Sequence, residues 1–249
     1  MNINTEAIEI PLEGGGAMGG YLVRPDDDQA RPAVLVFMEI FGINSHVRDV
    51  AERLAREGYV ALAPDYFHRT GPGVEYGYNE EGMERGMALL GALEADEMIS
   101  DVNAAIGWLE ARKDVRSHRI GAIGFCIGGH IAYLSACETS VCCVASFYGG
   151  GIAAPTGPGG AESTIGRTHK IKARVLCLFG EKDGYISPDQ VEAIEAALKG
   201  ARVNHEVVVY PGADHGFFCD QRESYQKAAA ADAWNRVKAL FGAELQGSR

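Results

Sequence analysis

The 249-residue chain reads as an α/β protein of three layers, with a mostly parallel central sheet of about eight strands between helices. Three observations predict this. Several apolar runs of strand length show no polar alternation, the mark of strands covered on both faces. Segments of helical character alternate with those runs. The sequence also carries no internal repeat that would suggest a solenoid or propeller.

Residues 7–11 alternate apolar and polar as an edge strand does, and the Gly14-Gly15-Gly16 turn joins them to a second strand at 18–24, forming an antiparallel hairpin. The run 33–38 is a buried strand. Ser45 offers a cap for a helix over 46–58, and 59–63 is the next buried strand, stopped by Pro64-Asp65. A Gly- and Tyr-rich loop over 66–79 leads to helices over 80–93 and 94–112. Strands follow at 119–124 and 141–148, separated by a helical stretch at 130–136. Residues 149–172, rich in Gly and Pro, break the rhythm, and long loops of this kind are functional or mobile. A strand at 174–180, a helix at 188–199, a strand at 205–210 and a helix at 223–241 complete the series, with 242–249 expected to fray. The expectation is one domain spanning 1–249.

The net charge of -11 argues against nucleic acid as a partner and offers no polybasic membrane anchor. No apolar run is long enough to span a bilayer. The N-terminus lacks a basic region followed by an apolar one, so no signal peptide is evident. The six cysteines show no zinc-like spacing, and most lie within apolar runs. Reduced thiols and a cytoplasmic location are expected. The glycines at 14–16 and 19–20 are no dinucleotide fingerprint, because no apolar strand precedes them and no helix follows.

The stretch that carries chemistry is Gly124-Phe125-Cys126-Ile127-Gly128. Gly-x-Cys-x-Gly has the form of a nucleophile elbow with cysteine in place of serine. Ligands of parallel sheets bind beyond the carboxyl ends of the strands. Asp183 follows one late strand and His215 the next, so the order is nucleophile, acid, histidine. The thiolate would attack, His215 would move protons, and Asp183 would orient the imidazole. Asp214, beside His215, is the rival acid. The backbone N–H of Ile127, with that of Ile40 in the loop after strand 33–38, would form an oxyanion hole.

The chain resembles the dienelactone hydrolase family of α/β-hydrolases. The matching stretches are Met38-Glu39-Ile40-Phe41-Gly42, Ala63-Pro64-Asp65-Tyr66, Gly124-Phe125-Cys126-Ile127-Gly128-Gly129, Gly180-Glu181-Lys182-Asp183 and His215-Gly216-Phe217-Phe218. The resemblance implies a three-layer α/β-hydrolase fold and a carboxylic-ester hydrolase that opens a lactone or ester through a Cys-His-Asp triad. It implies that Glu39 contacts Cys126 and controls its ionisation. It also implies arginines that hold a substrate carboxylate, for which Arg85 and Arg222 are candidates; Tyr78 would line the mouth. Neither a metal nor an organic cofactor is implied. The partner would be a small ester or lactone, an anionic one admitted, and the protein a monomer or small homo-oligomer. A general esterase or thioesterase, or a non-catalytic thiol module for redox sensing or binding, stays open as an alternative.

Overall fold

The computed structural model describes residues 1–247. An eight-stranded sheet runs in the order β1-β2-β4-β3-β5-β6-β7-β8. Strand β1 (Ile3–Pro11) pairs antiparallel with β2 (Ala17–Pro25), which is antiparallel to β4 (Val60–Pro64). The remaining strands are parallel: β3 (Arg31–Phe37), β5 (Val115–Phe125), β6 (Cys143–Phe147), β7 (Arg174–Gly180) and β8 (His205–Tyr210). Every residue of β4 and β6 is buried, as the unalternating apolar runs require. The edge strand β1 is largely exposed and alternates only weakly.

Helices α1 (Ser45–Arg56), α2 (Glu80–Leu90), α3 (Ala95–Glu110), α4 (Ile127–Glu138), α5 (Pro188–Gly200) and α6 (Lys227–Phe241) accompany the sheet. Helix α1 is capped by Asn44, whose side chain accepts from Val47 N at 3.2 Å, and not by Ser45; the Ser45 hydroxyl donates to Gln221 instead. Asn and Ser are near-equal caps, so sequence alone does not separate adjacent candidates. Helix α4 extends to both sides of the expected 130–136, its fourth residue being His130.

Two loop expectations change. Residues 149–172 hold two 3-10 turns, Pro158–Gly160 and Thr164–Lys170, and are tied to α4. Buried His130 binds Gly150 O through Nδ1 (2.9 Å) and Thr164 Oγ1 through Nε2 (2.7 Å), while Tyr133 OH meets Thr168 Oγ1 at 2.7 Å. At the other end, Gly242–Gln246 continues α6 as a wide helical turn rather than fraying, because Leu245 is buried. Residues 248 and 249 lie outside the described residues.

Very tight backbone packing lies where β5 passes into α4. A Cβ placed on Gly124 would sit 1.9 Å from Gly128 O, and one on Gly128 would sit 2.3 Å from Phe37 O. No side chain can yield there, since the obstacles are backbone atoms. Gly124→Ala is therefore expected to cost about 3 kcal/mol or more. Gly107→Ala, on α3 with nothing within 4 Å of the added carbon, should instead stabilise by up to about 1 kcal/mol. Urea denaturation of the two variants checks the contrast.

Candidate active site

Cys126 occupies the turn between β5 and α4 with φ 57° and ψ -121°. A non-glycine residue there is strained, and such strain persists only where surrounding structure fixes it. Cys126 N donates to Phe147 O at 3.1 Å, and Cys126 O accepts from Gly129 N and His130 N. The half-buried thiol thus sits at the N-terminus of a twelve-residue helix, facing its unpaired N–H groups. Ile127 is the first residue of α4, so its N–H has no intrahelical acceptor. Ile40 borders the same cavity as Ile127 and Cys126. Its loop is fixed from both sides. Tyr66 OH donates to Met38 O at 2.5 Å, and Gly86 of α2 packs so closely that an added Cβ would lie 2.5 Å from Ile40 O.

The structure brings Asp183 and His215 together. His215 Nδ1 lies 2.8 Å from Asp183 Oδ2, and both residues are buried. The other oxygen of Asp183 accepts from Tyr185 N at 2.9 Å, which fixes the carboxylate plane. Asp214 is turned away from the ring and accepts from the backbone N–H of His215. Burial pulls the imidazolium pKa down, but hydrogen bonds from Asp183 and Cys126, and their charges, outweigh it and raise the pKa well above the ordinary histidine value. Tyr148 and Tyr185 rings flank the imidazole, each with its centroid 5.0 Å away.

Glu39 is 1% exposed, and its two oxygens are taken by Arg222 Nη1 (2.9 Å) and Tyr78 OH (2.8 Å). The structure shows no hydrogen bond between Glu39 and the Cys126 thiol among the described residues. The Arg222 guanidinium reaches Glu39 by lying against Gly216, where a Cβ would come within 2.7 Å of it, and it sits over the rings of Tyr78 and Phe41. Arg85 lies elsewhere. Its exposed side chain pairs with Glu81 at 3.0 Å and stacks over Tyr76 on the outer face of α2.

Behind Glu39 are His46 and Cys219, all three buried, with ligand atoms within 4.8 Å of one another. These residue types could hold a metal. The Arg222 cation already on Glu39 opposes a second cation there. Neither ring nitrogen of His46 has a hydrogen-bond partner among the described residues, and burial lowers its pKa, which keeps the ring neutral. The thiol of Cys219 is pushed up to about 11, chiefly by burial.

Two lobes of one depression meet at His215, Arg222, Phe41, Met83 and Tyr185. The first, about 440 Å³, contains Cys126, Ile127 and Ile40 and is walled largely by apolar side chains of α2 and by the 150–159 segment. The second, more open and about 740 Å³, is rimmed by Glu80, Asp214, Gln221 and Glu223.

A mostly parallel sheet, a strained cysteine at a strand–helix elbow and a histidine–carboxylate pair from the last two strand ends define the α/β-hydrolase class. Within it, the chain belongs to the dienelactone hydrolase family, whose profile matches residues 18–245. It is 46% identical over 246 residues to a Synechocystis protein provisionally named carboxymethylenebutenolidase, covering 99% of each chain. It is 31% identical over 229 residues, 92% of this chain and 90% of the other, to a Bradyrhizobium protein provisionally named 2-oxo-3-(5-oxofuran-2-ylidene)propanoate lactonase. A crystal structure from Klebsiella pneumoniae, provisionally named dienelactone hydrolase, superposes with TM-score 0.88 at 33% identity, covering 97% of this chain and 99% of that one. No helix among the described residues is long and apolar enough to cross a membrane.

Sequence reasoning missed Tyr66, Tyr185, His46 and the cavity wall from α2. Only the last left a signal: Met83, Met87 and Leu90 stand at i, i+4 and i+7, one helical face.

Removing Arg222 would leave the buried Glu39 carboxylate without its cation. Arg222→Met is expected to destabilise the fold by about 3–5 kcal/mol, and the double variant Arg222→Met/Glu39→Gln to recover a large part of that loss. Denaturant unfolding of wild type, both single variants and the double variant measures the coupling.

Proposed function

We propose that the protein hydrolyses carboxylic esters or lactones through a covalent thioester on Cys126. The observation that carries this reading is the convergence of the Cys126 elbow with the His215–Asp183 pair at one end of the sheet. The family and the names of its relatives support it, because lactone opening is ester hydrolysis in a ring.

The Cys126 thiolate adds to the substrate carbonyl carbon, and the negative charge moves to the carbonyl oxygen. Ile127 and Ile40 line the cavity beside Cys126, and their N–H groups would receive the oxyanion. Collapse of the tetrahedral adduct breaks the C–O bond, and the His215 imidazolium gives its proton to the leaving alkoxide. The neutral imidazole then takes a proton from water as that water adds to the thioester carbonyl, and a second collapse returns the thiolate and releases the acid. Asp183 holds Nδ1 and stabilises the cation that His215 becomes.

Glu39 would act first through Arg222 and only then on Cys126. Its carboxylate is shared by Arg222 and Tyr78, so it sets the charge and position of Arg222 at the cavity wall. A substrate carboxylate reaching Arg222 would have to compete with Glu39, and the released Glu39 would then be free to act on Cys126.

Cys126→Ala should abolish turnover of p-nitrophenyl acetate, and retention of full activity would end the proposal. The imidazolium is the acid that protonates the leaving group, and its pKa is raised, so activity should fall only as pH rises through that raised value. Asp183→Asn removes a stabilising charge and should move this alkaline limb down by roughly one pH unit or more. The pH dependence of kcat/KM from pH 6 to 10.5 measures it.

A further inference from the structure

We infer that the acyl part of the preferred substrate carries an uncharged apolar group, seated in the lobe between α2 and the 150–159 segment. This rests on the reading of Cys126 as the nucleophile and deepens it by naming the kind of ester.

Three independent features point there. First, α2 is inverted relative to an ordinary surface helix. Its fully buried residues are Gly82 and Gly86, which bring its backbone against the chain at Gly77 and Ile40. Its apolar face, Met83, Met87 and Leu90, is left half-buried or exposed and borders the cavity; Met87 is 50% exposed. An apolar stripe at i, i+4 and i+7 ordinarily covers core. Here it lines a space shared with Leu93, Ala154 and Pro158. Flexible methionines suit such a wall because they adjust to ligands of differing shape.

Second, among the described residues the one lysine or arginine that borders the apolar lobe is Arg222, and it stands at the junction with the open lobe, so an acyl chain lying along α2 meets no cation. Arg85 pairs with Glu81 outside the cavity, and Arg222 pairs with Glu39. The rim of the open lobe carries Glu80, Asp214 and Glu223, which repel an approaching carboxylate.

Third, the geometry gives each lobe an end of the ester. Cys126, Ile127 and Ile40 line the apolar lobe, where attack and oxyanion stabilisation require the carbonyl and its acyl chain. The polar lobe reaches His215 from the side of Asp214 and Arg222. The imidazolium donates to the leaving oxygen, so the alcohol portion departs through the polar lobe and water enters the same way. An apolar acyl group placed in the first lobe excludes water from the thioester until the alcohol has left.

The test is a series of p-nitrophenyl esters: acetate, butanoate, hexanoate and the hemisuccinate, which has the length of butanoate but ends in a carboxylate. Rates with Cys126→Ala are subtracted. The expected result is a rise in kcat/KM of at least roughly tenfold from acetate to hexanoate, with butanoate preferred over hemisuccinate by roughly tenfold or more. In Met87→Asn/Leu90→Asn the hexanoate-to-acetate ratio should fall by roughly tenfold. Thermal unfolding monitors that variant's fold, and the wild-type series stands without it. A flat series with acetate turnover intact would overturn the apolar subsite and leave the hydrolase reading in place. Hemisuccinate equal to or better than butanoate would assign the acyl pocket to anion recognition instead. A rising series with an unchanged ratio in the folded double variant would remove α2 from the subsite. Absence of turnover on every ester would overturn the hydrolase reading itself.

Discussion

The site depends on one close approach of backbone to backbone. Strand β5 must end and α4 must begin within a single residue, and both must lie on the neighbouring strand β3. Gly124 and Gly128 meet at a separation that leaves no room for a methyl group, and Gly128 in turn rests on the carbonyls of Phe37 and Met38. This clamp holds Cys126 at positive φ, a conformation that costs of order 1–3 kcal/mol by itself. Relaxation of the clamp would let the cysteine return to ordinary backbone angles, and the sulfur would leave the helix axis and the oxyanion donors together. The same contact ties the elbow to the Met38–Ile40 loop, so Cys126 and Ile40 are positioned by one piece of packing.

Around that frame two carboxylate–cation pairs divide the electrostatic work. Asp183 and His215 form one, with the cation able to appear and vanish as the imidazole takes up and releases a proton. Glu39 and Arg222 form the other, an ion pair that persists unless a ligand intervenes. In the proposed reaction the first pair moves protons, and the second places a neutralised but exchangeable cation at the junction of the two lobes. A buried ion pair of this kind gains little net stability over an apolar pair, so its presence at the cavity wall is better explained by what it does to ligands than by what it does for folding.

The fold was legible because its central strands carry unbroken apolar runs, and a period of that kind leaves few alternatives once helices intervene. The elbow was legible because clearance for the nucleophile demands small residues at fixed offsets. Boundaries were harder: adjacent Asn44 and Ser45 are equivalent caps on paper, and only the folded geometry gives Asn44 the Val47 N–H. Charged residues were hardest. Arg222 reaches Glu39 only because turns after His215 fold the chain back over Gly216, and nothing in the linear spacing announces that return. Arg85, one helical turn from Glu81, is satisfied locally, and sequence alone could not separate it from a cavity arginine.

The segment 149–172 shows how a stretch poor in apolar residues can still be a firm wall. Its backbone bonds largely within the segment, Ile165 N to Ile152 O among them, and side chains of α4 anchor the whole to the sheet. Burial depresses the His130 pKa to about 4, so the ring is neutral at physiological pH and offers one donor and one acceptor. Gly150 O can only accept, which places the proton on Nδ1; Nε2 must then accept from the Thr164 hydroxyl. A single tautomer of one buried ring therefore joins the segment's start and its second 3-10 turn to the helix that follows Cys126. The wall of the apolar lobe and Cys126 share that support, which is why a loop of glycine and proline can hold its place beside the cavity.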